Sequence, residues 1–151
     1  MTDTGREPRA LISALQPFYD VVTPLAWPIV RIAVGWNMIV HGYGKVVRGM
    51  EKQTELFAHD SVSGGVPLAQ LLTVVELGGG ICIAAGLLTR FWAAACALEL
   101  GYITFILYWH NGFSWLGRGY EYTLMWGLVC FAIALRGGGP YSLDRLLGRE
   151  I

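Results

Sequence analysis

Eight side chains in or beside apolar stretches of the sequence could do chemistry: Arg31, Asn37, His41, Lys45, Glu76, Glu99, His110 and Glu121. Asn37, His41 and Lys45 are spaced four residues apart and share one helix face. Arg31 lies within a roughly 120° arc of that face. Buried charge in a membrane usually faces a partner, a cavity or a pathway. We therefore predict a ligand-binding or proton-handling site inside a helix bundle.

The depth of each charge along its helix suggests two polar layers. Arg31, Glu76 and Glu99 fall near the middle third, and His41, Lys45, His110 and Glu121 fall near the outer end. Arginine stays protonated and can form a bidentate pair with one carboxylate. The other carboxylate would lack a full counter-charge, so we predict that either Glu76 or Glu99 is protonated at neutral pH. Which one pairs with Arg31 stays open, and the Arg31 and Lys45–Glu121 pairs could also serve only to join helices.

His41 is the strongest candidate proton donor or acceptor. Histidine is the side chain that changes charge near physiological pH, and His41 lies beside Lys45 at the predicted outer end. A metal site made of His41, His110 and Glu121 has no local ligand spacing to support it, so we predict none.

The isolated cysteines and the absence of cofactor motifs limit the redox chemistry that this chain can do alone. Cys82, Cys96 and Cys130 each stand alone in a different apolar stretch, which favours packing over a dithiol site. No haem, flavin or iron–sulfur motif is present, so we predict no intrinsic cofactor. Electrons for a redox reaction would then come from a partner or a substrate.

The elements that must position these residues are membrane-spanning helices. Of 151 residues, 54% are hydrophobic and 15% are charged, whereas soluble domains average about 45–50% and about 25%. The net charge of zero argues against a nucleic-acid binder, which needs a basic face. Stretches of about 20 apolar residues predict spans, here at about 23–46, 66–88, 91–110 and 120–135. The predicted fold is an all-α, integral membrane four-helix bundle.

The predicted domain covers residues 23–147, between a cytoplasmic or interfacial segment at 1–22 and a tail at 148–151. Lysine and arginine favour the cytoplasmic side, and six of them on the side of the termini against four on the other predict that both termini are cytoplasmic. The external loop, 47–65, contains a predicted short helix at Met50–His59 and is either a surface linker or a lid. Small residues four apart predict close helix packing: Gly78, Cys82 and Gly86, and Ala93, Ala97 and Gly101.

Short motifs in a fixed order resemble the DoxX family. They are Arg31-x-x-x-Gly35 with His41-Gly42-x-x-Lys45, Glu76-Leu-Gly-Gly-Gly80 with Gly86-Leu-Leu-Thr-Arg90, and Gly139-Pro-Tyr-Ser-Leu-Asp144-Arg145. The resemblance covers about residues 28–147. Glu99 and the first 22 residues lie outside the pattern.

The resemblance implies a multi-pass protein of the bacterial inner (cytoplasmic) membrane with a loose link to redox chemistry. One branch of the family is a subunit of a thiosulfate:quinone oxidoreductase. Others are linked to quinone or catechol stress or to membrane oxidoreductase assemblies. The resemblance also singles out four residues, which their predicted depth in the membrane and their charge indicate independently: Arg31, His41, Lys45 and Glu76.

Three functions follow as alternatives. The first is a redox-associated protein that binds a quinone-like molecule, or supports a membrane oxidoreductase, through a polar site inside the bundle. It would be at most an oxidoreductase subunit. The second is a non-catalytic anchoring or assembly subunit with a membrane or peripheral redox partner. The third is a small proton or solute pathway, which would need a homo-oligomer.

Overall fold

The computed structural model describes residues 11–59 and 63–149. These residues form helices, turns and loops, with no strand among them. A 3₁₀ turn at Ser13–Leu15 leads into six helices: α1 (Gln16–Arg48), α2 (Met50–His59), α3 (Gly65–Ala85), α4 (Thr89–Asn111), α5 (Glu121–Arg136) and α6 (Leu143–Leu147). The predicted all-α class is confirmed for the described residues.

Two of the predicted spans are long and apolar enough to cross a membrane. These are α3 and α4, with mean hydropathies of 1.8 and 1.5. The tight turn between them, at residues 86–88, defines what we call the turn end of the bundle. The opposite end, which carries α2, is called the loop end. The four-span count and the orientation of the termini stay predictions.

α1 begins earlier than the sequence predicted. It starts at Gln16 rather than near residue 23, with Pro17 in its first turn, where proline is tolerated. Residues 16–22 of the predicted N-terminal segment are therefore helical, and residues 1–10 lie outside the described residues. The predicted short helix in the 47–65 loop corresponds to α2, which packs on α3 where Thr73 Oγ1 lies 3.8 Å from Met50 Sδ.

The core joins α1, α3, α4 and α5. Its buried apolar residues are Val34, Met38, Ile83, Ala93, Cys96, Leu100, Cys130 and Ile133. α1 and α3 approach so closely that a Cβ on Gly35 would lie 2.5 Å from Gly80 O. The predicted small-residue position Gly78 does not make this approach, since a Cβ there would meet only Val74, at 3.9 Å.

α3 and α4 each contain a stretch of π-helix. In α3 it covers Val74–Gly78, and in α4 it covers Ile103–Tyr108. Such wide turns often mark functional sites in helices. Glu76 lies inside the first stretch and is buried, so this irregular turn positions one of the candidate site residues.

Candidate functional site

A largely buried lysine joins two carboxylates at the centre of the candidate site. Lys45 Nζ on α1 lies 2.9 Å from Glu76 Oε2 on α3 and 3.3 Å from Glu99 Oε1 on α4. The three side chains are 12%, 7% and 4% exposed, in that order. We call these three residues the acid–lysine cluster. The structure thus brings together three of the predicted site residues from three helices.

The predicted pairing of Arg31 with Glu76 or Glu99 is wrong. Arg31 donates hydrogen bonds to Ala84 O at 3.3 Å, to Gly138 O and to Tyr141 O at 2.8 Å. It lies 14 residues before Lys45, roughly 20 Å along the axis of α1, and therefore at the turn end. The depth count failed because it measured depth along the first helix alone. Arg31 lies level with Ala84, next to the last residue of α3, whereas Lys45 lies level with Glu76 and Glu99.

The alternative Lys45–Glu121 pair is also wrong. Glu121 lies in the first turn of α5, where its Oε2 accepts a hydrogen bond from Trp115 N at 3.3 Å. Lys45 is instead held by the two carboxylates on α3 and α4.

The acid–lysine cluster contains two carboxylates and one ammonium. Both Glu76 and Glu99 contact the same nitrogen, so the carboxylates are neighbours, and Glu99 Oε2 is buried without a hydrogen-bond partner among the described residues. Two ionised carboxylates would leave one buried negative charge uncompensated, which is costly in a low-dielectric interior. The prediction that one of them carries a proton stays a prediction, now with Lys45 as the cation.

A second polar group lies where α1 meets α5. The Tyr122 hydroxyl donates a hydrogen bond to Asn37 Oδ1 and lies 3.5 Å from His41 Nε2. The His41 and Tyr122 rings are 5.9 Å apart, and the Tyr122 ring meets Trp126 edge-on at 6.1 Å. We call Asn37, His41, Tyr122 and Trp126 the α1–α5 polar group. Its His41 side is exposed.

Two hydrogen-bond donors in this group have no acceptor. Asn37 Nδ2 and Trp126 Nε1 are both buried and unpartnered among the described residues. Leaving a buried donor unpaired costs about 1–3 kcal/mol. These two donors therefore favour a ligand atom that accepts hydrogen bonds, such as a carbonyl oxygen.

Sequence reasoning found half of the α1–α5 polar group. Asn37 and His41 were predicted from their four-residue spacing, whereas Tyr122 and Trp126 were not. Aromatic residues at the predicted membrane interface are common, so the residue type alone does not distinguish these two. The signal that could have found them is their own four-residue separation at the start of a span.

The remaining predicted residues are not gathered at this site. His110 lies exposed on a 3₁₀ turn at Trp109–Asn111, and Glu121 bonds to its own connecting segment. Across residues 11–59 and 63–149, no group of three or more His, Cys, Asp or Glu side chains is arranged to hold a metal ion.

The turn end contains a hydrogen-bonded assembly whose role the sequence did not predict. Asp144 accepts hydrogen bonds from Leu88 N at 2.7 Å, Thr89 N at 2.9 Å and Thr89 Oγ1 at 2.6 Å. Asp144 N donates to Gly86 O at 2.8 Å. With Arg31, these contacts bind the C-terminal segment to α1 and to the turn between α3 and α4, so they hold the fold together away from the acid–lysine cluster.

Comparison with known proteins relates this chain to one family and to two bacterial proteins. The DoxX family profile matches residues 26–109. The chain is 32% identical over 135 residues to the inner membrane protein YqjF of Escherichia coli K12, covering 86% of this chain and 92% of that protein. It is 27% identical over 124 residues to a Haemophilus influenzae protein described as uncharacterized, covering 80% and 90%. No solved structure matches the chain.

Proposed function

The chain belongs to the DoxX family of membrane proteins, and on that premise we propose that it binds a quinone-like small molecule at the α1–α5 polar group. We place it in the bacterial inner membrane, in keeping with the name of its Escherichia coli relative. The observation that carries the proposal is the pair of buried donors without acceptors, Asn37 Nδ2 and Trp126 Nε1.

A quinone provides the hydrogen-bond acceptors that these two donors lack. Its ring offers two carbonyl oxygens, which accept hydrogen bonds, and its apolar tail is soluble in the bilayer. A ligand rich in donors would leave Asn37 Nδ2 and Trp126 Nε1 unsatisfied. The exposed side of His41 gives a membrane-soluble molecule a route to the group.

His41 and Tyr122 are the groups that would exchange a proton with a bound carbonyl oxygen. A general acid or base must lie within hydrogen-bonding reach of the atom it serves, and the Tyr122 hydroxyl already lies 3.5 Å from His41 Nε2. Lys45 lies one helical turn beyond His41 on α1. The acid–lysine cluster would therefore exchange protons with the α1–α5 polar group through His41.

Electrons would come from another protein. The sequence holds no motif for a haem, a flavin or an iron–sulfur cluster, and such groups carry the electrons in redox enzymes. We therefore propose that the chain is a quinone-binding subunit or accessory protein of a membrane oxidoreductase rather than a complete enzyme.

The experiment is a binding titration of a short-chain ubiquinone analogue to the purified protein in detergent, followed by tryptophan fluorescence. We expect saturable binding that weakens about tenfold in Asn37→Leu and in Tyr122→Phe, the effect of losing one hydrogen bond in a desolvated site. His110→Ala is the matched control, because His110 is exposed and outside the group, and it should bind as the original protein does.

Two outcomes would overturn the proposal. One is the absence of saturable binding to the original protein, which would favour the anchoring or assembly role. The other is equal weakening in His110→Ala and in the two variants of the α1–α5 polar group, which would show that the analogue binds elsewhere. Circular dichroism melting of each variant separates lost binding from lost folding.

A further inference from the structure

A broad pocket lies where α1 extends beyond the last residue of α5. Its volume is about 740 Å³. Residues of α1 from Gln16 to Val30 form one wall, and Arg136 and Pro140 lie on the other side. Arg136 ends α5, and its carbonyl accepts a hydrogen bond from Arg90 near the start of α4. The pocket is therefore at the turn end of the bundle, and we call it the turn-end pocket.

The turn-end pocket begins at the level where α5 ends and extends outward along α1. Trp27 marks this level, because its Nε1 donates a hydrogen bond to Gly137 O at 3.0 Å. Tryptophan is enriched at the level of the lipid headgroups. Asp20 lies seven residues before Trp27, which is roughly 10 Å further along the axis of α1. A ligand in this pocket would lie among the headgroups rather than in the hydrocarbon.

The inner end of the pocket, nearest α5, carries a cation. Arg136 Cζ lies 4.4 Å from the centre of the Trp27 ring, a cation–π contact that leaves its charge in place. Trp27 is itself held against Gly139, where a Cβ would lie 2.5 Å from Trp27 Cδ1. No ion pair within residues 11–59 and 63–149 includes Arg136. A guanidinium of this kind is suited to a phosphate group.

The outer end of the pocket is rich in hydrogen-bond acceptors. The Asp20 carboxylate accepts one hydrogen bond, from Gln16 Nε2 at 2.9 Å, and it belongs to no ion pair among the described residues. Pro24 and Pro28 lie inside α1. Because proline has no N–H, the carbonyls of Asp20 and Pro24 lose their helical donors. Both of these residues line the pocket, so this end suits a cation that carries N–H groups.

We propose that the turn-end pocket binds the headgroup of phosphatidylethanolamine. The phosphate would lie beside Arg136, and the ammonium would donate to the Asp20 carboxylate and to the carbonyls freed by the two prolines. The order of the charges matches this lipid, whose phosphate lies between the acyl chains and the ammonium. The absence of a direct Asp20–Arg136 ion pair leaves room for a zwitterion between them.

The same groups discriminate against two other phospholipids. The choline of phosphatidylcholine has no N–H to donate, so it leaves the carboxylate and the freed carbonyls without donors. Phosphatidylglycerol has no cation to place near Asp20. The proposal is therefore specific for a primary ammonium joined to a phosphate.

Native mass spectrometry tests this with the full chain, released from bilayers that contain equal amounts of phosphatidylethanolamine and phosphatidylcholine with the same acyl chains. We expect one retained phosphatidylethanolamine, favoured about fivefold, the most that one exposed ion pair contributes. Soluble glycerophosphoethanolamine, added at the same concentration as the lipid, should not displace it, because it lacks the acyl chains.

Variants at the two ends of the pocket should give different results. Asp20→Asn should abolish the preference while a lipid is still retained. Arg136→Gln should lower the retention of both lipids, because both carry the phosphate. The matched controls are Glu55→Gln and Lys52→Gln, which remove exposed charges on α2 at the loop end and should behave like the original protein.

A further variant tests the acceptors that the prolines create. Pro24→Ala restores an N–H to the helix for the carbonyl of Asp20 and keeps both charges of the pocket. It should lower the preference for phosphatidylethanolamine and leave the total amount of retained lipid unchanged.

Four results would overturn the proposal. They are equal retention of both lipids by the original protein, an undiminished preference in Asp20→Asn or in Pro24→Ala, unchanged lipid retention in Arg136→Gln, and displacement of the lipid by glycerophosphoethanolamine, which would assign the pocket to a soluble ligand. None of these results depends on quinone binding at the α1–α5 polar group.

Discussion

Asp144 and Thr89, 55 residues apart in the sequence, are joined by two hydrogen bonds. Asp144 Oδ2 accepts from Thr89 N at 2.9 Å and from Thr89 Oγ1 at 2.6 Å. Thr89 is the first residue of α4 and is fully buried, and Asp144 is 3% exposed. The residue before α4, Leu88, provides no side-chain cap. The cap of this membrane helix therefore comes from the C-terminal segment.

Asp144→Ala removes that cap and leaves buried backbone donors unpaired. We expect the free energy of unfolding to fall by about 2–4 kcal/mol, the combined effect of a lost N-cap and unsatisfied donors. Denaturation in mixed detergent, followed by circular dichroism, measures it. Asp20→Ala, an exposed position on α1, is the control and should unfold like the original protein. Equal effects of the two substitutions would contradict the capping role.

Arg31→Lys separates a structural role from a role in the site. Arg31 is 2% exposed and donates to carbonyls of Ala84, Gly138 and Tyr141. Because a lysine ammonium cannot reproduce the planar fork, we expect the variant to lose about 2–3 kcal/mol of stability. Its affinity for the quinone analogue should not change. A stable variant with lost binding would instead place Arg31 in the site, as the sequence alone suggested.

The acid–lysine cluster predicts a large loss of stability in one substitution and a small change in another. Lys45→Met leaves Glu76 and Glu99 buried without their counter-ion and should destabilise the protein by about 3–5 kcal/mol. Glu99→Gln replaces a carboxylic acid that we predict to be neutral with a neutral amide and keeps the Lys45–Glu76 pair, so it should change stability by less than about 1 kcal/mol. Thermal unfolding at neutral pH compares them. A larger loss in Glu99→Gln would show that both carboxylates are needed in ionised form.

Infrared spectroscopy tests the proton in that cluster directly. A carboxylic acid that carries a proton has a C=O stretching band that a carboxylate lacks. We expect such a band from the original protein at neutral pH and its loss in Glu99→Gln, because Glu76 would then be ionised beside Lys45. A spectrum of the original protein without this band would mean that both Glu76 and Glu99 are ionised.

Gly35→Ala tests the close contact between α1 and α3. A Cβ at Gly35 would lie 2.5 Å from Gly80 O and 2.7 Å from Ala84 Cβ, so the helices must separate. We expect a loss of about 1–3 kcal/mol from overpacking. Gly44→Ala, with open space around its Cβ, should gain about 0.5–1 kcal/mol from helix propensity. Unfolding measurements that rank the two variants the other way would refute this contact.

The sequence predicts those features that depend on hydropathy along a single helix. α3 and α4 are apolar for more than 20 residues each, and that property alone identifies them as candidate spans. The four-residue spacing of Asn37, His41 and Lys45 correctly placed polar side chains on one face of α1, because helical periodicity is a local property.

Which side chains pair between helices depends on how far each helix is shifted along its axis relative to its neighbours. The sequence does not show this shift. Arg31 and Lys45 could each have met a carboxylate, and the position of α1 along its axis relative to α3 sets Arg31 beside Ala84 and Lys45 beside Glu76. The Asp144–Thr89 contact and the Tyr122–Asn37 hydrogen bond join residues far apart in the chain. Nothing in the spacing of either pair predicts that the two side chains meet.

The contacts that the Gly138–Asp144 segment makes can form only late in the synthesis of the chain. Proteins emerge from the ribosome N-terminus first, so Arg31 enters the nascent bundle long before the carbonyls of Gly138 and Tyr141 exist to receive its hydrogen bonds. A chain that stops short of this segment therefore keeps a guanidinium without its main acceptors and a helix without its cap.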